Sequence, residues 1–316
     1  MKKIAVDVGS GFTQYRTENN VEGSFPSIVC PLEDKNGFGM DNKLSIVVFD
    51  GQQYLIGRDA FSYGGELEDR LNTLTEDWAG SVGWIALFYS AIASCDLQKD
   101  SHIKVVTGLP QAVYAKKTKG LKELLDGEHS FTFQGVDYKV TIEAKILPQA
   151  VGATLYKALE DPSLMNDMVG VIDIGTFTTG FAQVVENDFV SRKSHGCEVG
   201  VSQLKEALGK YLVQEKNVNL DPTLLTKVLM EKKYRYRGEV IEIGDAISKL
   251  CLQVAKPMLD TINDFWKGGN ELLVFVAGGG AVFFLEAIQT IMPHAEIMND
   301  PFYAVVRGMY SILEEE

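Results

Sequence analysis

The chain has 316 residues, 46% hydrophobic and 23% charged, enough for two domains that would bury about three quarters of the unfolded surface. A net charge of -13 argues against direct binding to bare nucleic acid, because phosphate neutralisation needs a basic surface, so any tie to DNA would run through a basic partner. The cysteines (Cys30, Cys95, Cys197, Cys251) are scattered without a Cys-x-x-Cys, the apolar run from Leu272 to Leu285 is too short for a bilayer, and Asp7 interrupts the first apolar stretch; neither zinc, disulfide framework, membrane span nor secretion signal is expected, and a reducing cytoplasm fits.

In chain order, residues 4–17 predict a hairpin, and the polar, Gly-rich passage up to Lys43 a loop. Residues 44–49 and 53–56 flank Asp50-Gly51, a strong two-residue turn signal. A buried helix is expected over 79–94, a strand over 105–109 closed by Pro110, a helix over 112–125, and a second hairpin around Gln134-Gly135. Ile146-Leu147-Pro148-Gln149-Ala150 leads into a helix through Ala158. After a third hairpin at 171–180 the pattern predicts a strand over 189–194, a turn over 196–200 and a helix over 202–211. Further helices are predicted over 222–233 and 243–265, then a strand over 272–277, a Gly triplet, and helices over 281–291 and 304–313. Glu314-Glu315-Glu316 reads as a solvated end.

The first and third hairpins repeat one another: Asp7, Gly9, Ser10 and Thr13 correspond to Asp173, Gly175, Thr176 and Thr179, giving Asp-(Val/Ile)-Gly-(Ser/Thr)-x-x-Thr twice. Glycine there permits a positive φ and close backbone approach to a ligand, while small hydroxyls and bare N–H groups suit an anion. An Asp at the end of a buried strand needs solvent, a partner or a metal, and two such residues facing across a cleft would suit a hydrated Mg²⁺. Ordinary hairpins with solvated Asp residues are the plain alternative, which recurrence at matching places disfavours. Gly278-Gly279-Gly280, between a buried strand and a helix, offers backbone for a flat ligand at a helix N-terminus. There is neither a Walker loop nor a Rossmann turn.

This set of motifs resembles the actin-like ATPase fold over the whole chain, and most nearly the bacterial ParM/StbA plasmid-segregation actins. Val105-Val106-Thr107-Gly108-Leu109-Pro110, Lys145-Ile146-Leu147-Pro148-Gln149, Val276-Ala277-Gly278-Gly279-Gly280-Ala281 and Gly308-Met309-Tyr310 look like that family's landmarks. The resemblance implies two related α/β domains, each a mixed sheet with flanking helices, around a nucleotide cleft: 1–148 completed by the helix 304–316, and 149–303. It implies ATP, with GTP left open, and Mg²⁺ as cofactors. Gly9, Ser10, Gly11 and Phe12, with Gly175, Thr176, Phe177 and Thr178, would hold the phosphates. Gly278, Gly279 and Gly280 would lie against the adenosine, and Asp7 and Asp173 would approach the metal through water. Gln149 stands where a residue orients the attacking water, and Gln149, Asp173 and Asp7 are the expected catalytic set. Gln14 replaces the family's usual phosphate-side lysine, for which Arg16, on the same strand face, is placed to substitute; Gly180 replaces a histidine of eukaryotic actins.

The implied function is a cytoplasmic, polymerising ATPase whose filaments move DNA through a DNA-binding adaptor, with the chain itself as its filament partner and no direct nucleic-acid or membrane contact. The alternative is a non-polymerising phosphotransferase or phosphohydrolase of the same superfold, against which no distinct substrate motif is seen. A chaperone-type ATPase lacks its substrate module here, and a cell-wall actin would call for an amphipathic basic segment that neither end shows.

Overall fold

β1 (Lys2–Val8) and β2 (Phe12–Thr17) form the first expected hairpin, in antiparallel register with Asp7 opposite Gln14 and Val8 opposite Thr13. The computed structural model describes residues 1–32, 44–64, 70–75, 77–186 and 188–314. From residue 33 on, the loop expected up to Lys43 lies outside them, as do the last two glutamates. Contacts divide the chain into two units, Met1–Glu160 with Tyr303–Glu316, and Asp161–Phe302.

The first unit continues with β3 (Glu22–Pro26), β4 (Val29–Leu32), β5 (Ile46–Phe49), β6 (Gln52–Ile56), α1 (Gly57–Tyr63), α2 (Val82–Ala93), β7 (Asp100–Leu109), α3 (Tyr114–Leu125), β8 (Gly127–Phe133), β9 (Val136–Pro148) and α4 (Gln149–Glu160). It closes with α9 (Ala304–Glu314). Its strands make one mixed sheet, β3-β2-β1-β7-β9-β8-β5-β6-β4. The Asp50-Gly51 and Gln134-Gly135 turns have positive φ at both residues (49° and 72°, 49° and 76°), the backbone that two-residue hairpins require. Strand alternation sorts the side chains. Ile4, Val6, Ile103, Val105 and Ala144 enter the core with α2 and α3, whereas Ala5, Asp7, Val106 and Gly108 belong to the other face, where α4 and α9 pack. α2 has every residue but Val82 buried, and its Ser81 caps it by accepting from the Trp84 N–H at 3.3 Å.

α4 and α9 cross glycine to glycine. A Cβ on Gly308 would run into the Gly152 carbonyl and lie 2.7 Å from the Tyr156 nitrogen. The crossing is clamped at the sheet's edge by Arg307, which donates to both Glu22 oxygens (3.0 and 2.7 Å) and to the Tyr156 hydroxyl at 2.9 Å. α4 therefore packs with the first unit, and the chain changes unit at Asp161, one helix later than the boundary expected at 149.

The second unit holds β10 (Met168–Ile174), β11 (Thr179–Val185), β12 (Asp188–Phe189), β13 (His195–Cys197), α5 (Val201–Lys216), α6 (Leu225–Glu231), β14 (Lys233–Tyr236), β15 (Glu239–Glu242), α7 (Gly244–Trp266), β16 (Leu273–Ala277), α8 (Ala281–Ile288) and β17 (Glu296–Ile297). Its sheet runs β12-β11-β10-β16-β17, with β13 added on β11. One expectation holds only in its middle and one fails here. The helix expected over 222–233 is a 3-10 turn (Pro222–Leu224) and the short α6, stopped by Lys232 at φ 55°; a hairpin around Arg237 and Gly238 follows. The strand expected over 189–194 folds into a 3-10 turn at Ser191–Lys193, because the end of α7 claims it: the Trp266 indole N–H donates to the Lys193 carbonyl at 2.8 Å and the Lys193 ammonium to the Phe265 carbonyl at 2.6 Å.

Because the crossing of α4 and α9 has no room for a methyl group, Gly308→Ala should cost about 1–3 kcal/mol of stability through overpacking, read as a lower denaturant midpoint at unchanged slope.

Candidate functional site

In the first unit, β1 delivers Asp7 to the end of a central strand, 9% exposed. The Gln149 side-chain amide, at the first residue of α4, donates to Asp7 Oδ1 at 2.7 Å. Burial outweighs that hydrogen bond and pushes the Asp7 carboxyl up to about 6. Gly108 on β7 makes the approach possible, since a Cβ there would lie 2.8 Å from Gln149 Cγ and 3.5 Å from Asp7 Oδ1. Gln14, buried and opposite Asp7 in the ladder, shares its face of the sheet and is neutral. Arg16 does not replace the missing lysine: its guanidinium is committed to Glu22 at 2.6 Å and Asn20 at 2.5 Å and lies over the Tyr310 ring.

The turn that follows has its carbonyls tied back. Gly9 N–H donates to the Phe12 carbonyl at 3.1 Å, Ser10 O accepts from the Thr73 hydroxyl at 2.7 Å, and Gly11 O accepts from the Ser27 N–H at 2.9 Å. Thr13, fully buried, shares a hydrogen bond with the Ser27 hydroxyl at 2.9 Å. Among the described residues, nothing in the chain accepts from the N–H groups of Ser10 and Gly11.

The second unit repeats this construction. Asp173 opposes Gly180 and Ile174 opposes Thr179, the register of Asp7 and Val8. Gly175 N–H donates to the Thr178 carbonyl at 2.9 Å, and the buried Thr179 hydroxyl donates to the Val199 carbonyl at 2.7 Å. The carbonyls of Gly175 and Thr176 are again occupied, now by the first N–H groups of α5: Val201 at 3.2 Å and Ser202 at 2.8 Å. Gly200 permits that contact, because a Cβ there would lie 2.6 Å from Thr176 O, and Gln203 accepts from the Gly200 N–H at 2.9 Å as half of a capping box. The N–H groups of Thr176 and Phe177 have no acceptor among the described residues.

Neither Gly9 nor Gly175 has positive φ, contrary to expectation. What excludes a side chain is the turn's own carbonyl, 2.9 Å from a Gly9 Cβ and 3.1 Å from a Gly175 Cβ. The left-handed residue is Gly278, at φ 82°, where a Cβ would lie 2.5 Å from Asp173 Oδ1. The triplet is thus folded onto the Asp173 strand end, with the Gly280 N–H on the Ile174 carbonyl at 2.8 Å. Gly278 and Gly280 are buried and Gly279 is exposed beside Phe302, so Gly279 is the part of the triplet a ligand could lie on. No group of three or more His, Cys, Asp or Glu suited to a metal occurs among the described residues. Gly108, Gly200, Ser27 and Thr73 lie outside the repeated hairpin pattern; in the sequence Gly108 falls in the Thr107-Gly108-Leu109-Pro110 landmark and Gly200 ends the turn expected over 196–200, while Ser27 and Thr73 carry no signal.

Residues 5–152 match the family model for the actin-like proteins' N-terminal domain, and residues 171–290 that for the C-terminal domain of the archaeal MreB-like actin homologue. No curated protein sequence matches the chain significantly. Among solved structures, the native archaeal actin homolog Ta0583 superposes with a TM-score of 0.85 at 19% identity, covering 100% of both chains. Its complex with ADP gives 0.82 at 18%, again over 100% of both. A subunit of a 15-stranded ParM filament from Clostridium botulinum gives 0.79 at 20%, over 100% of this chain and 99% of that one. With its two halves matched in order and its fold shared from end to end, the chain belongs to the actin-like proteins.

Proposed function

We propose that this protein is a nucleotide-dependent, polymerising ATPase that binds ATP and Mg²⁺ and forms cytomotive filaments serving DNA segregation through a DNA-binding adaptor. The observation that carries the nucleotide reading is the paired turn: in both units the carbonyls are tied back and neighbouring N–H groups are left to an anion, beside a strand-end carboxylate. Residues 9–12 and 175–178 are the phosphate-side turns and Gly279 the adenosine-side backbone. Solved relatives of the fold include an ADP complex and ParM and Alp12 filaments, which supports both the ligand and the assembly.

The donor set fits a metal bound mainly by water and phosphate. A buried carboxyl raised to about 6 is a group to which a nearby cation would restore full ionisation, and a strand-end carboxylate without a dedicated cage suits Mg²⁺, which keeps most of its waters. When bound, that ion would neutralise charge developing on the transferred phosphoryl group. Gln149 donates its amide to Asp7, which turns its Oε1 into the acceptor for an attacking water; an amide is no base, so its part is orientation. The neutral Gln14 leaves phosphate charge to the turns and the metal.

The raised Asp7 carboxyl has a consequence for the nucleotide-free protein. Between the ordinary 3.8 and about 6, the folded state holds a proton that the unfolded state has lost, so this site's contribution to stability falls as pH rises through that window. Asp7→Asn should therefore gain on wild type between pH 4 and pH 7, by on the order of 3 kcal/mol, measured by denaturant unfolding at each pH; a constant difference would refute it. Gln149→Ala should lower kcat roughly a hundredfold with nucleotide affinity retained, whereas Asp173→Ala should abolish turnover, and equal loss of binding in both would remove these roles. Sedimentation with light scattering should show pelleting with ATP or a non-hydrolysable analogue and not without nucleotide. Soluble protein throughout, with ATPase activity intact, would instead favour a phosphotransferase of the same fold.

A further inference from the structure

Two landmarks, Thr107-Gly108-Leu109-Pro110 and Gly308-Met309-Tyr310, supply no group to the site as described, yet the fold brings them together behind it. Met309 on α9 is fully buried. Its side chain passes α4 at Gly152, where a Cβ would lie 3.2 Å from Met309 Cγ, and ends with its methyl in the space that a Gly108 Cβ would fill. That Cβ position overlaps the methyl and is 2.8 Å from Gln149 Cγ and 3.5 Å from Asp7 Oδ1, so the methyl and the glutamine stem border one small space over Gly108. The thioether thus lies between two glycines, its methyl on the same Gly108 space as the Gln149 stem. A branched side chain would meet Gly152 on the way, and a short one would leave the space behind Gln149 empty.

We propose that Met309 is a positioning residue for Gln149, holding the glutamine stem so that its amide stays on Asp7 and its oxygen stays aimed. The inference rests on the proposed ATPase reading for its kinetic consequence and on geometry alone for its structural one. An unbranched, adaptable thioether suits an irregular gap of this kind, and a loosened orienting group loses rate rather than affinity.

The test uses the full chain with Met309→Ala, the volume-conserving Met309→Leu, and each combined with Gln149→Ala. Both single variants should lower kcat about tenfold with KM for ATP unchanged, and neither should lower it further in the Gln149→Ala background, because the effect passes through that side chain. Multiplying losses, or a matching rise in KM, would overturn the proposal. A second readout needs no turnover: the Gln149 side-chain amide resonances of the nucleotide-free protein, assigned by their absence in Gln149→Ala, should shift and broaden in both Met309 variants. Unmoved resonances would overturn the proposal as well. Absent ATP hydrolysis by wild type would count against the ATPase reading, while the amide spectrum would still decide the role of Met309.

Discussion

Burying a carboxylate at the end of a central strand raises its free energy, and much of the first unit's arrangement answers that cost at Asp7. Gln149 gives it one hydrogen bond, Gly108 makes space for that bond, and the crossing of α4 over α9 at Gly152 and Gly308 sets where α4, and so Gln149, begins. The compensation is partial, which is why the carboxyl stays raised. A group left in that condition suits a site that gains positive charge with its ligand, because the binding step then supplies what folding withheld.

The two hairpins show how one local pattern yields the same backbone device with different supports. In each, the short Gly-(Ser/Thr) turn bends back on itself through a glycine N–H and buries its last threonine. Elsewhere they diverge. One side chain and a strand-end amide tie back the first turn, and a helix N-terminus ties back the second. The neutral Gln14 and the commitment of Arg16 to Glu22 leave the first turn without the fixed cation expected beside it, so N–H groups there carry more of any anion's charge.

Local chemistry made much of this legible from sequence. Asp50-Gly51 and Gln134-Gly135 specify their own turns, and the repeated Asp-x-Gly pattern located both hairpins in register. Where the sequence misled, tertiary contacts decided. The helix expected to reach residue 233 stops earlier, because Lys232 takes a left-handed conformation and Arg237-Gly238 then reverses the chain into a hairpin. Residues 189–194 read as a strand until Trp266, some seventy positions away in the chain, takes the Lys193 carbonyl. The reason for the glycines of the two turns was misjudged: at Gly9 and Gly175 a neighbouring carbonyl, not φ, excludes a side chain. The contacts of Gly108 and Met309 could not be read without the packing of β7, α4 and α9.

The tie between the second turn and α5 has a mechanical side. The Thr176 carbonyl is bonded to the first turn of a helix of 16 residues, a rod about 24 Å long that is pinned along its length by Leu204, Leu208 and Leu212 in the core. The peptide plane at this turn is joined to one end of a stiff rod, whereas the matching plane at Ser10 is joined only to a threonine side chain. The two halves of the repeat are thus unequal as transmitters. Residue 176 is coupled to a core-packed helix that runs to Lys216, and residue 10 to a single side chain.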